Sequence, residues 1–223
     1  MSQDTRRAVQ SAEDIEAQIA YERIRYIFQL AALPQVGAVI FSVVVAYAMW
    51  GRVPAHWVVA WVAARIAIGA LRSLEVLWFS RDRRRFQRVP YWRARFEWLL
   101  VVDNLAWSAI ALFFLPVVQS TMLGTLLFSS VLVITALGVF ILVASFRSAV
   151  FNLLTMLLPL MVAIVWHGFA DTWVVLIAIV VYIGLLTEES WRSNQRWTEM
   201  TRLRLESVSV AAEREQARLL AVQ

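Results

Sequence analysis

Long apolar runs separated by short polar connectors organise this chain from residue 27 to residue 188. Six of them, at roughly 27–50, 56–79, 97–118, 122–145, 149–168 and 172–188, are long enough, or nearly so, to cross ~30 Å of hydrocarbon as helices. The connectors GRVPA (51–55), QST (119–121) and ADT (169–171) are short and nearly free of positive charge. The pattern predicts an all-α polytopic membrane protein with six transmembrane helices. The chain divides into an N-terminal helix (1–25), a six-helix transmembrane domain (26–188) and a C-terminal linker helix (189–223).

Charge gives the orientation. Residues 80–96 carry Arg81, Arg83, Arg84, Arg85, Arg88, Arg93 and Arg95, and the connector at 146–148 carries Arg147. The positive-inside bias places these connectors in the cytoplasm. Six spans then put both termini there, in agreement with Arg6, Arg7, Arg23 and Arg25 before the first span and Arg192 and Arg196 after the last. Clustered Arg at a membrane surface also attracts anionic headgroups, each contributing ~1 kcal/mol. Trp50, Trp57, Trp78, Trp98, Trp166, Trp173 and Trp191 fall near span ends, where the indole ring suits the interface.

Composition strengthens the membrane reading, because 61% hydrophobic and 17% charged residues exceed what a soluble core of this size buries. The absence of cysteine excludes disulfides, thiolate metal sites and iron–sulfur clusters. All 21 basic residues are Arg. The first 25 residues mix both signs of charge and contain no short apolar run, so they are not expected to be a cleavable signal. Ser11-Ala12-Glu13-Asp14 fits a capping box, and Ile15 and Ile19 lie one turn apart, which predicts a helix beginning near Ser11.

The candidate functional residues are those that hydrocarbon rejects. Arg65, Arg72 and Glu75 interrupt the second span, and Asp103 and Asn104 the third. Arg72 lies seven residues before Phe79 and Asp103 seven after Phe96, which at 1.5 Å per residue sets both ~10 Å from the mouth of the hairpin. An Arg72–Asp103 ion pair follows, with Glu75 one turn away and able to share the guanidinium. Arg65 lies two turns deeper with no carboxylate at its own level, and its expected neighbours are Trp107 and Ser108. Arg65, Arg72, Glu75, Asp103, Asn104 and Trp107 are therefore read as an intramembrane polar network or ligand site. Pro34 with Gln29 and Gln35, and Pro159 with Asn152, mark places where a helix can bend and free a carbonyl. His56 and His167 stand at outer span ends and are too few to make a metal site.

No catalytic constellation emerges. The seven glycines are scattered, so no phosphate-binding loop forms, and no nucleophile–base arrangement or cytoplasmic phosphoacceptor histidine lies within these residues. No enzymatic activity, cofactor, metal or nucleic acid is expected for this chain. The sixth span instead runs on into TEESWRSNQRWTEMTRLRLESVSVAAEREQARLLAVQ without Gly or Pro, which predicts one continuous helix entering the cytoplasm. Leu205, Val208, Ala212, Glu215, Leu219 and Val222 make a weak coiled-coil seam suited to a homodimer.

The chain as a whole, over about residues 25 to 210, resembles the six-span N-terminal sensor module of proteobacterial membrane histidine kinases and diguanylate cyclases. The aromatic-rich second span ending in Arg72, YWRARF (91–96), DNLAWS (103–108) and LRLES (203–207) carry the likeness. A small residue, often Gly, is common in that module where Asp103 and Ser108 stand here. The resemblance implies a bacterial inner-membrane sensor in a signal-transduction or two-component system, relaying a signal through the C-terminal helix to an output domain outside these residues; the outer loops are too short to fold a periplasmic ligand domain, which points to a lipophilic small-molecule cue. A small transporter or channel is the alternative, supported by the charges inside the membrane.

Overall fold

The computed structural model describes residues 3–114, 121–168 and 172–221; the side chains at 3–14, 31–34, 121, 209, 212–217, 220 and 221 are outside that description. It is all-α, with no strand among the described residues. The helices are α1 (Gln3–Met49), α2 (Ala55–Arg81), α3 (Val89–Ala109) with a widened π turn at Ile110–Phe114, α4 (Thr121–Ile141), α5 (Phe146–His167) and α6 (Thr172–Ala221). Among the described residues five helices are long and apolar enough to cross a membrane, and a sixth span is formed if the two halves of α1, Ile15–Leu30 and Gln35–Met49, count as one bent crossing at 42°. The bend falls on 31–34, the stretch in which the sequence places Pro34.

Two helix starts differ from expectation: α3 begins at Val89 rather than near 97, which puts Arg93 and Arg95 on the helix instead of in the connector, and α1 begins before Ser11. The first helix already runs from Gln3, so Ser11 lies inside it and does not begin it. Nothing between Gln3 and Ser11 is Gly or Pro, so a strong cap sequence did not stop the helix continuing ahead of it. At the other end α6 runs unbroken for 50 residues, about 75 Å at 1.5 Å per residue, which is more than twice the depth of the hydrocarbon. It runs through 188/189 as one rod, as the lack of Gly and Pro in the tail predicts. Leu205 on the expected seam is half-buried, and Val208 and Leu219 are exposed; Val222 is outside the described residues.

Helix α5 is the central rod. It buries Asn152, Leu153, Met156, Leu157 and Leu160, among others, and it packs against α3, α4 and α6. Its apolar neighbours Trp61, Trp107, Leu127 and Val131 complete one core cluster. A second cluster closes the end that carries the arginine connector, where Phe28 stacks on Phe79 with centroids 4.4 Å apart and Trp92 stands edge-on to Phe79 at 5.5 Å. Apolar side chains such as Ile40, Val59, Leu105, Val162 and Ile177 face outward, as lipid permits and water does not. The seven tryptophans expected at span ends are all exposed.

The connector between α2 and α3 is a short turn rather than a loose loop. Asp82 accepts the backbone N–H of Arg84 at 2.8 Å and the indole N–H of Trp92 at 2.9 Å. Those two donors, with Arg88 and Arg84 nearby, hold its carboxyl below the usual range. Arg81, Arg83, Arg84 and Arg88 remain exposed around it. Gly51 and Gly168 end α1 and α5 in left-handed backbone at φ 73° and 59°, a conformation that costs glycine nothing.

Candidate functional site

A stripe at three- and four-residue spacing buries Val58, Trp61, Arg65, Gly69, Arg72, Glu75 and Phe79 along one face of α2. On α3 the DNLAWS stretch does the same: Asp103, Asn104, Trp107 and Ser108 are buried, whereas Leu105 faces out. The two stripes face each other. An apolar stripe carrying two guanidiniums is stable only if the opposite face supplies an anion, and Asp103 supplies it.

Both arginines use it. Arg72 Nη1 donates to Asp103 Oδ2 at 2.6 Å, as the equal-depth argument predicts. Arg65 Nη1 donates to Asp103 Oδ1, which corrects the expectation that Arg65 has no carboxylate within reach. Equal depth along the helix axes locates backbones and not charges. The long Arg stems reach toward each other from two turns apart and meet at one carboxylate. Arg65 is completely buried, with its guanidinium 4.3 Å from the centroid of the Trp107 ring and its Nε 3.4 Å from Ser42 Oγ. Ser108 is not its partner.

Glu75 also departs from expectation. It pairs with Arg95 of α3 rather than with Arg72, and Arg95 in turn lies 4.8 Å over the Trp78 ring. Along the α2–α3 interface the buried guanidiniums of Arg65 and Arg72 face one carboxylate, that of Asp103, while Glu75 is matched by the partly exposed Arg95. The surplus is one positive charge. An uncompensated buried ion costs several kcal/mol, against ~1–3 kcal/mol for an unpaired neutral polar group, so this charge is the dominant electrostatic feature of the interior.

The other half of the site stitches α3 to α5. Asn104 Nδ2 donates to Thr155 Oγ1 at 2.7 Å, and Ser108 Oγ to the carbonyls of Thr155 and Met156 at 3.2 and 3.0 Å. Thr155 is the residue four before Pro159, whose ring removes the N–H that would otherwise take this carbonyl. The proline in α5 thus frees an acceptor, and Ser108 occupies it. Nearby, Trp61 Nε1 donates to the Ala106 carbonyl at 2.7 Å, four residues before the ladder widens at Ile110. Asn152 Nδ2 donates to the Thr135 carbonyl at 3.1 Å, tying α5 to α4.

A cavity of about 510 Å³ opens between α1 and α4, with α3 behind it. Its wall on α4 is apolar, formed by Val133, Ile134, Leu137 and Ile141; its floor carries Arg72, Asp103, Asn104 and Asn152. Gln35 of α1 lines it as well. Its Nε2 lies 3.5 Å from Asp103 Oδ2, its side chain is almost wholly buried, and its Oε1 has no partner within the protein. Of the six residues expected to form the network, Arg72, Asp103, Asn104 and Trp107 line this cavity, Arg65 is sealed beneath Trp107, and Glu75 belongs to the neighbouring pair with Arg95. Sequence reasoning marked Gln35 and Asn152 only as companions of helix bends, and passed over Ser42 and Arg95 as site residues. Neither of the last two had a signal of its own, since serine is common in membrane helices and Arg95 belonged to the arginine connector.

The wall contains one tight point. A Cβ added at Gly138 would stand 2.6 Å from Asn152 Nδ2, whose amide is already committed to Thr135. Gly138→Ala is expected to displace that amide and lower stability by ~1–3 kcal/mol, measured as a fall in melting temperature in nanodiscs. Gly138→Ala combined with Asn152→Ala, which removes the obstruction, should melt no lower than Asn152→Ala alone.

Among the described residues no three His, Cys, Asp or Glu side chains are grouped to hold a metal ion. Fold and site together define a polytopic all-α membrane protein with a shared ionic cluster under a laterally placed cavity. No protein-family model, curated protein or solved structure matches the chain.

Proposed function

We propose that this protein is a sensory input module of the bacterial inner membrane. It passes a change in the membrane-embedded helices through α6 to a cytoplasmic output domain, a histidine kinase or otherwise a diguanylate cyclase. In this reading the arginine connector and both ends of the chain face the cytoplasm, and the projecting part of α6 pairs with that of a second copy.

One observation carries the reading: the elements that wall the cavity are also the elements that grip α6. Ile27 of α1 lines the cavity; one turn away Arg23 donates to Thr198 Oγ1 of α6 at 2.9 Å, and the Tyr26 ring lies 5.7 Å from that of Trp197. Leu142 of the α4–α5 turn lines the cavity too; the next residue, Val143, gives its carbonyl to Asn194 Nδ2 of α6 at 3.1 Å, and Phe146 stands edge-on to Trp191 at 5.1 Å. A molecule that spreads α1 from α4 must move one of these grips relative to the other. A 50-residue rod turns that small displacement into a larger one at its far end.

The chain has no native cysteine, so paired spin labels can be placed cleanly. With Glu16→Cys and Arg204→Cys, both at exposed positions, the filling substitution Ala38→Phe in the cavity is expected to shift the label-to-label distance distribution. Adding Trp197→Ala should abolish the shift. Identical distributions with and without Ala38→Phe would sink the relay. The alternative, a small transporter or channel, draws on the buried ionic cluster and its cavity; flux in proteoliposomes that survives deletion of residues 189–223 would support it.

A further inference from the structure

We propose that the α1–α4 cavity binds a single-chain lipophilic carboxylic acid, with its carboxyl group on Arg72 and its hydrocarbon chain along the apolar wall of α4. This rests on the sensory reading and names the chemistry of its cue.

Shape comes first. At about 510 Å³ the cavity falls within the ~300–1,000 Å³ typical of sites for small molecules. An apolar wall over a polar floor suits an amphiphile entering sideways from the bilayer, tail along Val133 and Leu137 and head toward Arg72.

Charge then selects the head. Two guanidiniums share the single carboxylate of Asp103, and of the two it is Arg72 that reaches the cavity, since Arg65 is completely buried. Nη1 is the one Arg72 nitrogen engaged among the described hydrogen bonds, which leaves donors for an incoming acceptor. A cationic ligand would add to a surplus of the same sign, and a neutral lipophile would leave that surplus standing. An anion removes it. Gln35 refines the choice, because its unpartnered Oε1 calls for a donor. A carboxyl group meets the two demands in turn: as the neutral acid its O–H can donate to Gln35 Oε1, and once ionised its oxygens accept from Arg72. A carboxylic acid also crosses hydrocarbon in its neutral form and ionises beside the guanidinium, which a permanently charged phosphodiester cannot do.

The protein in nanodiscs of zwitterionic lipid should be photolabelled by a diazirine-bearing long-chain fatty acid, with the label mapped by peptide mass spectrometry. The expected label lies on the α1 and α4 walls, near Ala38 and Leu137. Hexadecanoic acid should compete on the order of tenfold better than its methyl ester or hexadecanol, equivalent to about 1.4 kcal/mol. Ala38→Phe, which fills the cavity and leaves the ion cluster in place, should abolish labelling there, and Arg72→Gln should erase the preference for acid over ester.

Equal competition by acid and ester would overturn the proposal. So would displacement of the label by phosphatidylglycerol but not by the acid, which would make a bilayer headgroup the occupant. Loss of wall labelling in discs that hold two copies, with no competitor present, would assign the cavity to a neighbouring molecule instead. Acid-selective labelling with an unmoved Glu16–Arg204 distance would leave the binding site standing and sink the sensory reading, so the two fail separately.

Discussion

Asp103→Ala is expected to be the most damaging substitution at the ionic cluster, lowering stability by about 3–5 kcal/mol and leaving little folded protein after thermal challenge in detergent. The reason is arithmetic. Asp103 is the single anion to which both Arg65 and Arg72 are bonded, and removing it leaves two guanidiniums buried without a counter-charge. Asp103→Asn keeps an acceptor oxygen but not the charge, and should fall between wild type and Asp103→Ala. The informative comparison is the triple variant Arg65→Met, Arg72→Met, Asp103→Leu. Replacing a whole buried ion cluster by apolar side chains of similar volume is often neutral or stabilising, because no charge is then desolvated. The triple variant should therefore melt near or above wild type while losing acid-selective labelling. Size-exclusion profiles after heating give the stability, and the photolabelling assay gives the binding. An Asp103→Ala protein that melts like wild type would show that the cluster is hydrated enough to do without its anion.

That pairing also shows what the sequence could and could not tell. The spans were legible because hydrocarbon imposes a simple test, a run of about 20 apolar residues, and α2, α4 and α5 answer it at nearly the expected positions, whereas α3 starts at Val89 because its polar first turns extend the helix beyond the apolar run. The Arg72–Asp103 pair was legible for the same reason: a hairpin fixes relative depth, and equal depth brings opposite charges together. Arg65 escaped because depth counted along a helix axis locates Cα atoms, whereas a flexible side chain delivers its charge up to two turns away. Glu75 escaped through competition, since Arg95 approaches it from α3 while Arg72 is already taken by Asp103. The widened turn at Ile110–Phe114 left no trace, because one extra residue in an apolar run still reads as an apolar run. The cavity is a property of how incompletely α1 and α4 close on each other, which no periodicity within either helix records.

Trp107→Ala carries the second largest expected effect, because it removes the largest fully buried side chain from the point where the ionic cluster meets the apolar core. Its ring lies edge-on to Trp61 with centroids 5.7 Å apart, is tilted against Phe41 at 6.0 Å and covers the Arg65 guanidinium. Truncating a buried Trp to Ala costs about 3–5 kcal/mol through lost burial and the void left behind. Part of that cost here is electrostatic, and a double-mutant cycle separates the two. If the ring face helps hold the cation, Trp107→Leu and Arg65→Met will be non-additive, with a coupling of about 0.5–2 kcal/mol in melting experiments. Additive effects would mean that the ring contributes volume alone. The cycle also bears on the cavity, since Trp107 is the floor that separates it from Arg65. With Trp107→Leu the floor drops and Arg65 gains access, so fatty-acid labelling should extend deeper along α3 while Arg72→Gln no longer erases acid selectivity. Labelling that stays at the original positions would place the boundary of the site elsewhere than at this ring.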